Sequence, residues 1–457
     1  MPKKYHIRPK PTPNRFVPPG KYIIIEQDQY CLHCPANACI KKDCPYDVYT
    51  ERRFDSIQLK DIIDYLCKGC FRCIQGCKNN AITRTLNPEY LVLGDEYWTP
   101  EIITSTYNQA ETGKIPVSGA GYGGPFTGPG FDSMWTDMSE IVRPTRDGIH
   151  GREYIATNID LGKKLPFLKF DSQGGLISEP PTLIDLHIPV IFNPLPFGVL
   201  HQEVLLAQAQ AVKILDTFVI VNESELTPEI LRYQNHLIPL LDEVAEDKIR
   251  GFVMVEFPDR NDVLALVKGA RAINPKIVTL IRLKFDQGVR DRVLELVKEG
   301  AEVIHLCADE HGQESDATNP RFIKEMIREI HLSLVEQSMR DRVTLIVSGG
   351  IAEPSHLAKA IICGTDGVAI DLPLLVALEC RLCRNCREEF PSPCPVKIET
   401  INTEWAVQRM VNLMNAWHSQ LIEIMGAMGI REVRRLRGET GRAMNFTDLE
   451  EETWVIP

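Results

Sequence analysis

The sequence has no long apolar run. No stretch of its 457 residues approaches the ~18 to 20 uninterrupted apolar residues of a membrane-spanning helix. The opening residues, Met1-Pro2-Lys3-Lys4, are not followed by the apolar stretch of a signal peptide. We therefore expect a cytoplasmic protein without a membrane span.

Positive charge is also scarce. The chain has 51 Lys and Arg residues against 62 Asp and Glu residues, which gives a formal net charge of -11. Because the overall field of such a protein repels polyanions, we expect no nucleic acid partner. Apolar residues make up 44% and charged residues 25%, as in ordinary folded globular proteins.

Cysteine, by contrast, is abundant and clustered. Of the 14 cysteines, 12 fall into three dense groups: Cys31, Cys34, Cys39 and Cys44; Cys67, Cys70, Cys73 and Cys77; and Cys380, Cys383, Cys386 and Cys394. Disulfides would need an oxidising compartment and would usually join distant segments. Groups as dense as these are typical of metal centres.

The second group has the C-x2-C-x2-C-x3-C spacing of bacterial ferredoxins, in which three thiolates bind one cluster and the fourth reaches a neighbouring cluster. The first group is a looser version that ends in Cys44-Pro45, so we expect two [4Fe-4S] clusters with crossed ligand sets. One set is Cys31, Cys34, Cys39 and Cys77, and the other is Cys67, Cys70, Cys73 and Cys44. The alternative is a pair of structural zinc sites, although these usually take separated C-x2-C pairs.

The chain as a whole predicts five segments. They are an extended N-terminal arm (1–30), a two-cluster ferredoxin-like α+β module (31–85), an irregular Gly- and Pro-rich connector (86–185), a barrel that ends in the third cysteine group (186–400) and a C-terminal helical segment (401–457).

The barrel is predicted from short apolar runs that alternate with helical stretches. Eight strands are expected, starting at Ile188, Thr217, Leu231, Gly251, Val278, Val303, Thr344 and Gly367. Eight strands with helices between them predict an α/β fold, a closed (β/α)8 TIM-type barrel. The third run, LRYQN, is short and polar, and without it an open doubly wound sheet is the alternative.

Glycines near the last two strands suggest a phosphate site. In such barrels a phosphate commonly binds the loops after strands seven and eight. Ser348, Gly349 and Gly350 follow strand seven, and Gly364 and Gly367 lead into strand eight. Together these residues suggest FMN, although Gly349 and Gly350 could equally form a tight turn that needs positive φ.

Four stretches resemble a known family: residues 143–154 (RPTRDGIHGREY), residues 194–198 (PLPFG), residues 348–350 (SGG) and residues 394–396 (CPV). They look like the FMN-binding synthase domain of glutamate synthase, in an arrangement closest to the archaeal-type, ferredoxin-fused form. The resemblance covers roughly residues 20 to 430. It implies an oxidoreductase that reduces 2-iminoglutarate, formed from 2-oxoglutarate and ammonia, to glutamate.

The resemblance also implies site residues. The family's barrel holds a [3Fe-4S] cluster on three cysteines, which correspond to Cys380, Cys386 and Cys394. Cys383 is additional, so a [4Fe-4S] cluster is the alternative. The implied FMN contacts are Pro196, Phe197, Gly198, Arg282, Ser348, Gly349, Gly350, Gly364 and Gly367.

The loops around the substrate depart from the family. Residues 222–225 and 257–260 stand where the family has Gly-rich segments, and Arg282 replaces a lysine near the flavin. Arg282 is a catalytic candidate because its guanidinium stays charged, and Glu310 and His311 are candidates because they lie just past strand six. His305 is expected to be a core histidine, and Cys307 and Cys363 buried apolar residues.

Two functions remain open at this point, with a flavin-free scaffold as a third. The first is the synthase subunit of a glutamate synthase, and the second is an electron-transfer subunit that has lost glutamate synthesis. The chain shows neither the N-terminal cysteine of a glutaminase nor a β-helical domain. We therefore expect a hetero-oligomer with other redox subunits, such as a glutaminase, a β-helix subunit or an NAD(P)H or ferredoxin oxidoreductase.

Overall fold

The computed structural model describes residues 5–26, 44–49, 63–115, 129–136, 155–164, 168–177, 181–196, 202–387 and 393–445. Several predicted site residues lie outside these ranges: Cys31, Cys34, Cys39, Phe197 and Gly198. None of the helices within the ranges has the length and apolar character needed to cross a bilayer.

The N-terminal cysteine region is built on a two-stranded antiparallel sheet. Strand β1 (Tyr22–Glu26) pairs with β2 (Ile82–Leu86), and helix α1 (Arg72–Gly76) lies between them in the chain. A small core of Ile24, Val48, Tyr49 and Ile82 packs against Cys44, Cys67, Cys73 and Cys77. Because β1 pairs with β2, the cysteine region begins near Tyr22, although the sequence predicts a separate arm up to residue 30.

The segment predicted to be an irregular connector contains regular structure. Its elements are α2 (Pro88–Leu91), α3 (Pro100–Thr112), β3 (Met134–Thr136), β4 (Ile159–Leu161) and β5 (Ile184–Leu186). Helix α3 was not predicted because its Pro and Gly resemble helix breakers. They are in fact its caps: Pro100 occupies the first helical position, and Gly113 ends the helix with φ 70°.

Eight parallel strands close into a barrel, which confirms the predicted TIM-type fold. The strands are β6 (Val190–Phe192), β7 (Val219–Asn222), β8 (Leu237–Leu240), β9 (Met254–Pro258), β10 (Val278–Lys284), β11 (Val303–Cys307), β12 (Thr344–Ser348) and β13 (Gly367–Ile370). They are almost continuously apolar because both faces of a barrel strand are covered.

Helices surround the barrel. They are α4 (Gln202–Leu215), α5 (Glu246–Arg250), α6 (Val263–Ile273), α7 (Val289–Lys298), α8 (Ile323–Glu336), α9 (Pro354–Cys363), α10 (Leu372–Ala377) and α11 (Thr403–Ala427). The long helix α11 packs against α3, α4, α9 and α10 and buries Met410 and Trp417. A last strand, β14 (Ala443–Asn445), pairs with β3.

The third barrel strand is displaced from its predicted position. The run from Leu231 was predicted to be the strand, but residues Ile230–His236 form a 3-10 helix, and β8 follows at Leu237. The residues of β8 are mostly buried, whereas those of the 3-10 helix are mostly exposed. Pro239 makes β8 hard to recognise, because proline is uncommon inside strands.

Candidate functional site

Four cysteines of the N-terminal region line a single cavity: Cys44, Cys67, Cys70 and Cys73. Burial raises the pKa of the Cys67 thiol, and the nearby sulfurs of Cys44 and Cys70 raise it further. This is the set that the sequence predicts for one crossed cluster. Cys77 does not line the cavity, and its sulfur accepts a hydrogen bond from the Ala81 N–H at 3.2 Å.

The third cysteine group gathers in a tight loop after α10. Burial raises the pKa of the Cys380 thiol to about 12, and the nearby sulfurs of Cys383, Cys394 and Cys386 contribute to the rise. The Leu382 N–H donates to the Cys380 sulfur, as is common around metal-bound thiolates. All four cysteines are therefore close together, including Cys383, the one in excess of the family's three.

The backbone of this loop has an unusual conformation at three residues. Glu379, Leu382 and Arg384 have φ angles of 70°, 51° and 59°, in the left-handed region that residues other than glycine rarely adopt. Two long-range bonds hold the strained turns in place. The Tyr107 hydroxyl donates to the Cys380 carbonyl at 3.0 Å, and the Gly94 N–H donates to the Arg381 carbonyl at 3.1 Å.

Arg384 joins the third cysteine group to the barrel mouth. Its guanidinium lies 2.7 Å from the Asp95 carboxylate and 3.1 Å from the Glu310 carboxylate. His311 Nε2 lies 3.0 Å from the Asp95 carboxylate. Burial acts to raise the pKa of Asp95, but hydrogen bonds from His311, Trp98 and Arg384 lower it to about 2. The structure thus places Glu310 and His311 in contact with the cysteine loop.

Arg282 lies inside the barrel near its carboxyl end. It contacts Glu256 at 3.0 Å and donates to the side-chain oxygen of Asn193 at 2.7 Å. Asn193 in turn donates to Asp371 at 3.1 Å. Burial acts to raise the pKa of the fully buried Glu256, but the charges of Arg282 and His305 lower it to about 2. This barrel end therefore holds a buried ion pair between Arg282 and Glu256.

A second arm of the same network runs from Glu256 to Ser348. His305 Nδ1 lies 2.6 Å from Glu256 and its Nε2 3.0 Å from the Ser348 hydroxyl. Burial acts to lower the pKa of His305, but Cys307 and Glu256 raise it to about 9. Burial also acts to raise the pKa of Cys307, and the charges of His305 and Arg282 lower it overall.

The sequence interpretation missed most of this network. His305 is buried and hydrogen-bonded, as expected of a core histidine, and its partners are Glu256 and Ser348. Cys307 is half-buried beside this network, whereas Cys363 is buried as expected. The available signal was Glu256 itself, since a carboxylate within an apolar barrel strand needs a partner on a neighbouring strand.

Ser348, Gly349 and Gly350 lie at the carboxyl end of β12, where a phosphate would bind in this fold. Both glycines have positive φ, 92° and 66°. A side chain on Gly349 would lie 2.4 Å from the Asp309 carbonyl, and one on Gly350 would lie 2.5 Å from Gly312. The need for glycine is thus explained by a tight turn packed against the loop after β11. Pro196 is exposed on the segment after β6.

Gly364 lies apart from Gly349 and Gly350, at the amino end of β13. It ends α9 with φ 132°, and its carbonyl accepts from Arg340 at 2.7 Å. Residues that precede a parallel strand lie at its amino end, opposite the site. Gly367 pairs with Ile346, at the start of β13, and a side chain there would lie 2.9 Å from the Pro189 carbonyl. Both glycines serve packing.

The loops that differ from the family are held by local contacts. The Glu225 carboxylate accepts from the Asn222 N–H at 2.8 Å, and Glu223 pairs with Lys248. Asp259 pairs with Arg292 at 2.7 Å, and Phe257 is fully buried. The charges in these loops are therefore largely committed to neighbouring side chains.

The fold is thus that of the α/β-barrel proteins, here with a group of four cysteines that Arg384 ties to the loop after β11. Residues 253–431 match the family model described as the conserved region in glutamate synthase. The archaeal-type glutamate synthase [NADPH] of Dehalococcoides mccartyi is 24% identical over 489 residues, which cover 92% of this chain and 94% of that protein. The archaeal glutamate synthases [NADPH] of Archaeoglobus fulgidus and Methanocaldococcus jannaschii are 23% and 24% identical over 95% and 96% of this chain.

These comparisons confirm the resemblance drawn from the sequence: the chain is similar to glutamate synthases, which are oxidoreductases, along most of its length. Among solved structures, mandelate oxidase aligns with 66% of this chain and 97% of its own, at 14% identity and a TM-score of 0.40. That likeness is too weak to carry an argument.

Proposed function

We propose that this chain is the synthase-type subunit of a glutamate synthase, which reduces 2-iminoglutarate to glutamate. Its cofactors would be two [4Fe-4S] clusters in the N-terminal module, a third cluster on the loop after α10, and FMN at the carboxyl end of the barrel. Such clusters supply single electrons, and FMN supplies hydride transfer. The observation that carries the proposal is the ion pair between Arg384 and Glu310, which places the third cysteine group against the barrel mouth.

The cysteines that the structure describes fit the proposed clusters. Cys44, Cys67, Cys70 and Cys73 line one cavity and would hold one [4Fe-4S] cluster. Cys77 would serve the other cluster, with the three cysteines that lie outside the described residues. In the third group, the nearness of Cys383 to Cys380 supports four ligands and thus a [4Fe-4S] rather than a [3Fe-4S] cluster.

The barrel end fits FMN through Arg282. Its Nε is buried and has no hydrogen-bond partner among the described residues, so an acceptor atom of a bound ligand would satisfy it. Its guanidinium would also balance negative charge on a reduced flavin. Ser348, Gly349 and Gly350 lie shortly before the amino end of α9, a position that favours a phosphate.

The partners and location belong to the same proposal. The archaeal relatives carry NADPH in their names, so we propose that electrons come from NADPH through another subunit. A glutaminase or a β-helix subunit would complete a hetero-oligomer in the cytoplasm.

A second candidate is an electron-transfer subunit of a larger redox complex. It is favoured by the loops at residues 222–225 and 257–260, whose charged side chains Glu223 and Asp259 are occupied by Lys248 and Arg292. A dicarboxylate would need cationic partners, and Lys248 and Arg292 are already paired with these acidic side chains. In this candidate the cofactors would remain, but the amino-acid site would be lost.

The experiment uses the whole chain, purified anaerobically and supplied with reduced ferredoxin, 2-oxoglutarate and ammonium. Iron should reach about 11 to 12 atoms per chain if all three centres are filled. Glutamate formation that is lost in Arg282→Gln and partly kept in Arg282→Lys would support the synthase. Flavin that is reduced without glutamate would support the second candidate, whereas stoichiometric zinc, little iron and no flavin would overturn both.

A further inference from the structure

A five-residue segment, residues 94–98, contacts three loops at the barrel mouth. It lies between α2 and α3, in the region that the sequence predicts to be irregular. Its residues reach the third cysteine loop, the loop after β11 and the turn after β12. We refer to it as the 94–98 segment.

The contacts with the cysteine loop come from the start of the segment. The Gly94 N–H donates to the Arg381 carbonyl at 3.1 Å, and the Asp95 carboxylate lies 2.7 Å from Arg384. Gly94 has φ 64°, and a side chain there would lie 1.9 Å from the Trp98 carbonyl. Only glycine fits this position, so the segment folds back on itself where it meets the cysteine loop.

The contacts with the barrel come from the rest of the segment. Asp95 also bonds His311 at 3.0 Å, and the indole N–H of Trp98 donates to the Glu310 carbonyl at 2.8 Å. The Tyr97 hydroxyl donates to the Gly350 carbonyl in the turn after β12 at 2.5 Å.

The segment is itself rigid. The second oxygen of the Asp95 carboxylate accepts from the backbone N–H groups of Tyr97 and Trp98 at 2.9 and 2.8 Å. Trp98 is 1% exposed. A single carboxylate therefore fixes the segment's own turn and binds Arg384 and His311.

We propose that the 94–98 segment is a positioning element that holds the third cluster and FMN at the separation needed for electron transfer between them. This inference rests on the proposed function, because it presumes both cofactors. The residues that join the two sites come from parts of the chain that are far apart in sequence, namely Asp95, Glu310, His311 and Arg384. Among the described residues, Arg384 also contacts the loop after β11 directly, through Glu310 and His311.

The test measures flavin reduction through the clusters in the complete protein, by stopped flow under anaerobic conditions with dithionite-reduced ferredoxin as donor. The variants are Asp95→Asn, Arg384→Gln and the double variant, and the matched control is Glu96→Gln, an exposed residue of the same segment. Reduction should slow by about ten-fold or more in Asp95→Asn and by less than about two-fold in Glu96→Gln, because small displacements of reacting groups have large effects on rate.

Two further readouts separate positioning from general destabilisation. The double variant should be slowed by less than the product of the two single effects, because both changes remove the shared ion pair between Asp95 and Arg384. The third cluster's EPR signal should change in Asp95→Asn, while the signals of the N-terminal clusters should not. Tyr97→Phe, which removes only one hydroxyl, should speed flavin loss on dilution and serves if Asp95→Asn does not fold.

The outcomes distinguish the inference from the proposed function. If the wild-type chain makes no glutamate, slower flavin reduction in Asp95→Asn would support the inference, and the missing glutamate would count against synthase activity. Unchanged flavin reduction in Asp95→Asn and Tyr97→Phe, in a chain that makes glutamate, would overturn the inference alone. A chain that binds no flavin would overturn both.

Discussion

Glu256 should be among the most sensitive positions of the barrel. The change Glu256→Gln keeps the size of the side chain but removes the charge that faces Arg282 at 3.0 Å and His305 at 2.6 Å. Since Glu256 is 0% exposed, water cannot replace the lost partner. Breaking a buried ion pair of this kind costs about 3 to 5 kcal/mol.

The assay is thermal unfolding of the variant followed by circular dichroism, with iron content as a check on the clusters. At roughly 2 to 4 °C per kcal/mol for a domain of this size, Tm should fall by about 6 to 20 °C. The control is Glu246→Gln, which breaks a pair with Arg250 in which both side chains are 66% exposed. Exposed pairs contribute about 0 to 1 kcal/mol. Equal Tm values for the two variants would refute the argument.

The same pair predicts a pH dependence. The pKa of Glu256 is about 2 in the folded protein, so its stabilising effect is present above its unfolded value near 4.5 and is lost as pH falls towards 2. The pKa of His305 is raised to about 9, so its contribution is present below 6.5 and is lost as pH rises through 9. The difference in Tm between wild type and Glu256→Gln should therefore shrink at acid pH and, in part, above pH 9. A difference that is constant from pH 3 to 10 would contradict this assignment.

Three other predictions concern the cysteine loop and the glycines. Cys383→Ser should change the EPR spectrum of the third cluster and leave the N-terminal clusters unaltered, and an unchanged spectrum would indicate three ligands. Gly350→Ala should lower both Tm and flavin content, because the turn after β12 has no room for a side chain and lies at the proposed phosphate site. Gly364→Ala should lower Tm, because the added methyl group would collide with His331 at the opposite end of the barrel, and flavin per folded chain should be unchanged. Flavin loss in both glycine variants would support the prediction that Gly364 belongs to the phosphate site.

The barrel could be predicted because its strands are chemically distinct from what surrounds them. Buried parallel strands need apolar residues on both faces, and seven of the eight runs have them. The exception, β8, is short, contains Pro239 and follows a 3-10 helix whose residues resemble a weak strand. Helix α3 was missed because it lies in a segment whose many Gly and Pro residues indicated irregular structure, although Pro100 and Gly113 are its ends.

The site was harder to predict because its contacts join distant parts of the chain. Cysteine groups are visible in sequence, since metal ligands come close together along the chain. Arg282, Glu256 and His305 lie on three different strands, and only the closed barrel shows that they meet. The position of Gly364 could not be foreseen for the same reason, because sequence order does not show at which end of a strand a glycine will lie.

The residues that tie the third cysteine group to the barrel differ from those that hold the loops at residues 222–225 and 257–260. The link from the third cysteine group to the barrel depends on Asp95, Arg384 and the loop after β11, whereas the loops that differ from the family, at residues 222–225 and 257–260, are held by contacts with Lys248 and Arg292. We therefore expect changes in those loops to leave the cysteine loop undisturbed. For this reason flavin reduction and glutamate formation should be measured separately. A chain that reduces flavin but makes no glutamate would be an oxidoreductase whose substrate has changed while its electron path is intact.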